Sequence, residues 1–236
     1  MSQLIFDNLV VDVVRKAIKN LHLRIFPSEG RVRVTVPFFV SETLIRRRLA
    51  HKMPWIKRKL AQFADTPRPL PQMMVSGETH YFLGKPFTLQ LVEHPSLRPT
   101  VLRDEAQINL YARPASDINE RKKTLELWYR KEFQALLPSL LEKWEPIVGV
   151  KIARCTVKKM NTRWGSCSIQ SRRISLNLEL VKKPLECLEY VLVHELVHLH
   201  ERLHNKRFWA LMDQFMPSWR NHRAILNQSQ TEEICN

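Results

Sequence analysis

The sequence contains no stretch of about 18 consecutive apolar residues, the shortest length that spans a membrane as a helix, so no membrane contact is expected. The first residues also lack the basic segment and apolar run of a secretory signal, which favours a cytoplasmic location. The 4 cysteines include no Cys-x-x-Cys pair, which indicates reduced thiols rather than disulfides or a cysteine zinc site. With only 5 glycines and no evident repeat, we expect a globular chain.

Acidic residues are few: the sequence has 23 Asp and Glu but 38 Lys and Arg. Its formal net charge is therefore +15. Such a charge creates a positive field that attracts polyanions, so nucleic acid and nucleotides are candidate partners. The alternative is a solvated basic surface that keeps the protein soluble. Charge alone leaves both interpretations open.

The first half of the sequence has the pattern of β-strands. Apolar and polar residues alternate over several short segments, which is the signature of strands with one buried face. Ser28-Glu29-Gly30 is typical of a turn between two of them. The expected strands cover residues 9–15, 21–25, 32–36, 81–82, 87–92 and 108–111.

A basic segment from Ser41 to Leu60 has apolar residues at helical spacing, with arginines and lysines between them. Pro54 lies inside this segment and lacks the backbone N–H that a helix interior needs. We therefore expect either a kinked helix or, as the preferred interpretation, two helices that form a basic helical hairpin. The proline-rich residues 66–71 indicate a connector.

The second half is expected to be helical, with a short sheet over residues 155–159 and 174–178. Pro184 suits the first turn of another helix. The sequence thus predicts an α+β protein in two parts. A strand-rich region with basic helices covers 1–115, and a compact helix–sheet–helix domain covers 116–236.

The segment His194-Glu195-Leu196-Val197-His198 has the pattern His-Glu-x-x-His. On a helix, two histidines four residues apart lie on one face within reach of one metal ion, and Glu195 lies beside them as a base. The flanking residues are apolar at helical spacing. Burying two imidazoles and a carboxylate on such a helix is costly unless something such as a metal ion satisfies them.

A catalytic zinc ion needs a third protein ligand and an open position. The candidates are His200, Glu201 and His204. On a straight helix His204 would point about 80° away from His194, so the helix would have to bend or end before it. Glu201 would share the face of the two histidines, and His200 would not. The spacing leaves Glu201 and His204 open.

Several motifs together resemble those of the YgjP-like metallopeptidases, which are related to the WLM and SprT-like zinc peptidases. The N-terminal half fits as well, because Tyr81-Phe82-Leu83-Gly84 looks like the family's second hairpin and Trp55-Ile56 like the end of its basic helix. The segments that carry the resemblance in the second half are Arg163-Trp164-Gly165-Ser166-Cys167, Ile174-Ser175-Leu176-Asn177, His194-Glu195-Leu196-Val197-His198, His204 and Phe208-Trp209.

The resemblance implies a zincin-like metallopeptidase domain in which His194, His198 and His204 bind Zn²⁺ and Glu195 is catalytic. It therefore favours His204 over Glu201 as the third ligand. The same histidine spacing occurs in the metzincins, but they have a glycine where this sequence has Glu201. We do not expect the metzincin fold.

The segment from Arg163 to Cys167 admits two interpretations. It could be an edge strand or loop along the substrate cleft, with Arg163 polarising a carbonyl or phosphoryl oxygen. Alternatively, Trp164 packs on the metal-binding helix and Gly165 permits a tight backbone turn. Packing is the preferred interpretation for Trp164 and Gly165, and Phe208 with Trp209 are expected in the core.

These observations predict a zinc metallopeptidase that acts on a peptide or protein substrate. The ion would activate water, and Glu195 would take its proton and deliver it to the leaving amine. One alternative is a nucleotide phosphohydrolase of the pyrophosphatase type. Another is a peptidase that acts on nucleic-acid-bound protein. A binding module with a purely structural zinc ion is the least favoured.

Overall fold

Eleven β-strands and five α-helices make up the described part of the chain, which in this computed structural model is residues 2–26, 31–64, 72–95 and 98–228. The strands are β1 (Ser2–Phe6), β2 (Leu9–Lys16), β3 (His22–Phe26), β4 (Arg31–Pro37), β5 (Thr79–Phe82), β6 (Lys85–Glu93), β7 (Thr100–Arg103), β8 (Gln107–Ala112), β9 (Arg154–Lys158), β10 (Gly165–Ser168) and β11 (Arg173–Asn177). The helices are α1 (Glu42–Ala64), α2 (Ile118–Val148), α3 (Leu185–Val197), α4 (Lys206–Phe215) and α5 (Trp219–Gln228), with a 3₁₀ helix at Leu178–Lys182.

This mixture of helices and sheets confirms the α+β prediction. All six strands expected in the first half are present, while β1 and β7 were not expected. The turn expected at residues 28–30 and the connector at 66–71 lie outside the described residues. No helix in the described residues is both long enough and apolar enough to cross a membrane.

The chain divides into two compact units between residues 70 and 71. This division lies before the boundary near residue 115 that the sequence suggested. The reason is that the sheet formed by β5 to β8 contributes to the same hydrophobic core as α2 and α3. Residues on both sides of position 115 therefore fold together.

The first unit is a four-stranded sheet in the order β1-β2-β4-β3 with α1 on one face. The central strands β2 and β4 are parallel, and each outer strand is antiparallel to its neighbour. Valines of β2 and β4 pack against the apolar stripe of α1. Asp12 of β2 is buried, and its carboxylate accepts a hydrogen bond from Arg31 at 2.7 Å. Burial raises the pKa of Asp12, but hydrogen bonds from Gln3 and Arg31 outweigh it and keep the pKa below its ordinary value.

The expected basic helical hairpin is instead one continuous helix, α1, with Pro54 in its interior. The ring of Pro54 removes one helix hydrogen bond, but the backbone angle of proline is compatible with a helix. Ile45, Leu49 and Ile56, on both sides of Pro54, are buried in the same core. This shared packing holds the two halves in one helix, so Ile56 lies within it rather than at its end.

The second unit repeats the strand order and pairing of the first. Its four-stranded sheet is ordered β5-β6-β8-β7, with a central parallel pair and antiparallel outer strands, and a long helix follows it. The first hairpin of each sheet turns through two residues with positive φ, Asp7-Asn8 in one and Leu83-Gly84 in the other. The chain therefore contains two ββββα modules, although no repeat is evident in its sequence.

A small mixed sheet, ordered β10-β11-β9, completes the second unit together with α3 to α5. The hairpin turn at Leu83-Gly84 binds the 3₁₀ helix, because the N–H of Leu83 donates to Val181 O at 2.8 Å. A Cβ atom on Gly84 would lie 2.9 Å from Pro184 Cγ, at the start of α3. The sheet of the second module is thus fastened to the beginning of α3.

Candidate metal centre

The predicted metal-binding helix is α3, and it is buried on nearly all sides. Its apolar residues pack against α2, α4, α5 and the small sheet. The helix ends at Val197, with His198 as its C-cap residue. His194 and Glu195 therefore lie in its last turn, where the chain can leave the helix axis immediately after His198.

The loop after α3 brings His204 back to the helix. Asn205 then caps α4, because its side chain accepts a hydrogen bond from Phe208 N at 3.0 Å. His204 Nε2 lies 2.9 Å from His194 Nε2. Atoms of His194, His198 and His204 that could bind a metal all lie within 4.8 Å of one another. Helix α3 therefore ends before His204, which is the condition that helical geometry sets for His204 to reach the other two histidines.

The protonation of the three imidazoles suits a cation. His198 Nδ1 donates to the backbone O of Glu201 at 3.1 Å, which leaves Nε2 of that ring without a proton. Burial, with further repulsion from His198, His204 and Arg223, lowers the pKa of His194 to about 3. Burial also lowers the pKa of His198 and of His204. Neutral rings with converging nitrogen lone pairs are the form that metal ions bind.

Phe208 of α4 holds the three rings in place. Its ring centroid lies 4.9 Å from that of His194, 4.8 Å from His198 and 4.7 Å from His204. Trp209 stacks on His204 at 5.6 Å, and its indole N–H donates to His204 O at 3.1 Å. Phe208 is fully buried, as expected for a core residue, and both aromatic rings also fix the orientation of the histidines.

Glu195 is 5% exposed, and burial raises the pKa of its carboxyl group to about 8, although the charge of Arg163 opposes this shift. Gly165 of β10 lies against this carboxyl group. A Cβ atom on Gly165 would be 2.6 Å from Glu195 Oε1. Gly165 lies in a strand and is absent from the positive-φ residues, so the expected tight turn is wrong. Only glycine leaves room for Glu195 there.

The segment after Arg163 forms β10, the edge strand of the small sheet. This strand and the histidines line a cavity of about 930 Å³ that also contains Arg163 and Arg202. Of the two interpretations, the edge strand along a cleft is therefore the observed one. Trp164 also packs against the hydrophobic core of the second unit, which includes residues of α3 among those of other elements.

Asn177 holds the loop that carries Arg163. Its side-chain amide donates to Met160 O at 2.9 Å and to Arg163 O at 2.8 Å. Its side-chain oxygen accepts from Met160 N and from Glu179 N, each at 3.3 Å. Its own N–H donates to Trp164 O at 2.8 Å. A fully buried residue of β11 thereby fixes the backbone that enters β10.

The two other candidates for third ligand have different roles. The Glu201 carboxylate accepts a hydrogen bond from Leu203 N at 3.2 Å and braces the loop, and only its backbone oxygen contacts a histidine of the trio. His200 Nε2 donates to Val148 O at 2.8 Å and ties the end of α3 to the end of α2. Neither side chain belongs to the histidine trio.

A family model described as YgjP-like, metallopeptidase domain, matches residues 19–229. The chain belongs to the YgjP-like family. Its metallopeptidase domain implies a divalent metal ion, and the histidine trio offers a site that fits one. The match includes the whole second module. In the first module it begins after β1 and β2, which lie within the first 18 residues.

Among curated proteins, no sequence matches this YgjP-like chain. Among solved structures, it is similar to the crystal structure of the metallopeptidase zymogen of Pyrococcus abyssi abylysin, with 19% sequence identity and a TM-score of 0.38. The match covers 42% of this chain and 98% of that chain.

Sequence reasoning missed several residues around the site. Asn177 was noted only as part of a motif, and the contact of Phe208 with all three histidines was not foreseen. Arg202 lines the cavity and was not singled out, although it lies four residues after His198. Helical spacing could not place Arg202 at the site, because α3 ends at Val197, whereas Arg163 was identified through its motif.

Proposed function

We propose that this YgjP-like protein is a zinc-dependent metallopeptidase in which His194, His198 and His204 hold the ion. The observation that carries the proposal is the convergence of the three imidazoles, whose candidate ligand atoms lie within 4.8 Å of one another, beside the buried side chain of Glu195. Three histidine ligands suit zinc, and three protein ligands leave the open position that catalysis needs. When bound, zinc polarises the scissile carbonyl and lowers the pKa of water to about 7.

Glu195 is the general base in this proposal. Its carboxylate accepts the proton of the attacking water and then donates it to the leaving amine. Gly165 confines the carboxyl group on one side, which limits the positions that the side chain can adopt beside the histidine trio. A buried carboxyl group whose pKa lies near neutral pH is suited to both accepting and returning a proton.

The remaining elements of the site would position the substrate. The outer edge of β10 borders the cavity, so an extended peptide can pair with it while its scissile bond faces Glu195. Arg163 lies on the same cavity and would stabilise the negative charge that develops on the carbonyl oxygen. Its backbone is fixed by Asn177, which limits where the guanidinium can reach.

The experiment compares the wild type with Glu195→Gln, using casein, a DNA-bound protein and nucleoside triphosphates as substrates. Glutamine keeps the shape of the side chain but cannot accept the proton, so we expect one zinc ion retained per chain and a fall in kcat of about 10²–10⁴-fold. Metal content and turnover are measured on the same preparation. Arg163→Gln in this assay should lower kcat more than it changes KM.

The possible results separate the candidate functions. Retained hydrolysis of casein by Glu195→Gln would refute the role of the base. Phosphate release from nucleotides that is lost in the same variant would leave the site standing and replace the peptidase by a phosphohydrolase. Cleavage restricted to the DNA-bound protein, with a steep loss at higher salt, would support action on nucleic-acid-bound protein.

A further inference from the structure

A second cleft lies in the first module, far along the chain from the histidine trio. It has a volume of about 630 Å³ and lies between the edge strand β3 and helix α1. Its floor is apolar. The side chains that form this floor include Leu21 and Leu23 on the strand side and Ile45, Leu49 and Trp55 on α1.

The strand along this cleft has an open edge. In the sheet order β1-β2-β4-β3, β3 is antiparallel to β4 and has no other partner among the described residues. Alternate N–H and C=O groups of β3 therefore point away from the sheet. Such an edge is a template for an additional strand, and natural proteins usually block or cover it.

The second module provides an internal comparison, because it has the same strand order. There α2 packs closely against β7, which is the counterpart of β3. In the first module a cleft opens between α1 and the beginning of β3, where Leu21 and Leu23 line it, although both residues also pack against the core that contains α1. The same architecture is therefore closed in one module and open in the other.

The rim of the cleft is basic. Lys19 lies at the β3 side, and Arg48, His51 and Lys52 project from α1. None of the described residues that line the cleft is Asp or Glu. Phe39, one of the apolar lining residues, is 84% exposed, and the neighbouring Phe38 is 66% exposed, so apolar surface extends from the cleft towards solvent.

We propose that this cleft binds an extended acidic peptide segment, which adds to β3 as a strand. The unpaired edge supplies main-chain hydrogen bonds, the apolar floor takes every second side chain, and the basic rim pairs with the acidic side chains. This groove would recruit a protein substrate or partner independently of the histidine trio. The inference goes beyond the proposed function and does not depend on it.

The test measures binding to the full-length protein by fluorescence anisotropy. The probe is a labelled nine-residue peptide in which valine alternates with glutamate. A second peptide carries an N-methyl group on every backbone amide, so that neither of its edges can donate to β3, and a third replaces each glutamate with lysine. We expect the first peptide to bind and the other two to bind at least about tenfold more weakly, since they lose main-chain pairing or charge complementarity.

A matched pair of variants locates the site. Arg48→Glu combined with Lys52→Glu reverses two charges on the cleft, and Arg47→Glu combined with Arg58→Glu makes the same change on exposed residues of α1 outside it. We expect the first variant to lose at least about tenfold in affinity and the second less than about threefold. Circular dichroism verifies that both variants fold.

Three results would overturn the proposal. The first is equal binding of the N-methylated peptide, which excludes strand addition even if a variant fails to fold. The second is equal loss in both variants, or binding of single-stranded DNA in the cleft that displaces the peptide, since both indicate a general polyanion surface. The third is a dimer that only the cleft variant dissociates, since a second copy would then occupy the groove.

Discussion

Gly165 leaves a space beside Glu195, and no other residue type fits that space without displacing the carboxyl group. The distances from an added Cβ atom would be 2.6 Å to Oε1, 2.8 Å to Cγ and 2.9 Å to Cδ of Glu195. These lie well inside the usual contact distance between carbon atoms, which is roughly 3.5–4.0 Å. Glu195 is buried, so its side chain has little room to withdraw.

Gly165→Ala should therefore reduce activity without removing the metal ion. A displacement of about 1 Å at a reacting group can cost about 10²-fold in rate, and we expect a loss of this order in kcat. Steady-state kinetics and metal analysis measure the two effects separately. Glu105→Ala, an exposed position in the turn between β7 and β8, serves as the control and should retain wild-type kcat. Unchanged kcat in Gly165→Ala would contradict the contact.

Some residues of the site could be predicted from the sequence and others could not, and the reason is physical. His194, Glu195 and His198 are close in sequence, and helical periodicity alone places them together. Gly165 was recognised, but a glycine needed for a turn and a glycine needed for close approach look the same in a sequence. His204 required the resemblance, because spacing could not show where the helix ends.

The loop between β9 and β10 depends on β11 for its conformation. Asn177 supplies hydrogen bonds to both ends of this loop, at Met160 and at Arg163. Loops usually owe their order to such specific hydrogen bonds, because they bury little apolar surface. The position of Arg163 on the cavity is thus a property of two elements rather than of one residue.

Asn177→Ala should loosen this loop and lower stability. Several buried backbone groups would lose their partners, at a total cost of roughly 2–4 kcal/mol. Because Arg163 would lose its anchor, kcat should fall while KM changes little. Urea unfolding and steady-state kinetics test both expectations. Asn177→Asp should not restore activity, since a carboxylate cannot donate to the two carbonyl groups.

Asn161→Ala provides the matched control, since it removes the same side chain from an exposed position in the same loop. It should keep wild-type stability and kcat. A loss in the Asn161 variant as large as in the Asn177 variant would mean that the loop, rather than its anchor, is sensitive. The sequence could not predict this anchor, because the hydrogen bonds join residues 14 and 17 positions apart.

The two ββββα modules give the chain two compact units, of which the second contains the histidine trio. Alternating patterns predicted most strands in both modules, but the sequence showed no repeat. The shared topology is set by strand pairing and turn geometry, and many different apolar residues satisfy both. The compact units divide between residues 70 and 71 rather than near residue 115, since patterns locate elements but not the core that they share.

Removal of the metal ion should destabilise one unit only. An ion present at about 100 times its Kd stabilises the unit that binds it by about 2.7 kcal/mol, and chelation removes this contribution. Thermal unfolding with and without a chelator, followed by circular dichroism, should show one shifted transition and one unshifted transition. The fluorescence of a Trp55→Phe variant reports the second unit alone, because the other five tryptophans lie after residue 71.

His198→Ala serves as the control for this experiment, and its transitions should no longer respond to the chelator. A parallel shift of both transitions in the wild type would contradict a stabilisation confined to the second unit. A wild type that does not respond at all would contradict metal binding by the trio.

The contact between Gly165 and Glu195 also restricts which substitutions can accumulate at these two positions during evolution. A methyl group at 165 requires a shorter acid at 195, and a shorter acid leaves a gap that such a methyl group fills. Neither change is tolerated well by itself, so an intermediate with only one of them is at a disadvantage. Because a shorter acid would also withdraw the proposed base from the metal centre, chains that inherit this site should keep glycine at 165 together with glutamate at 195, although 30 residues separate the two.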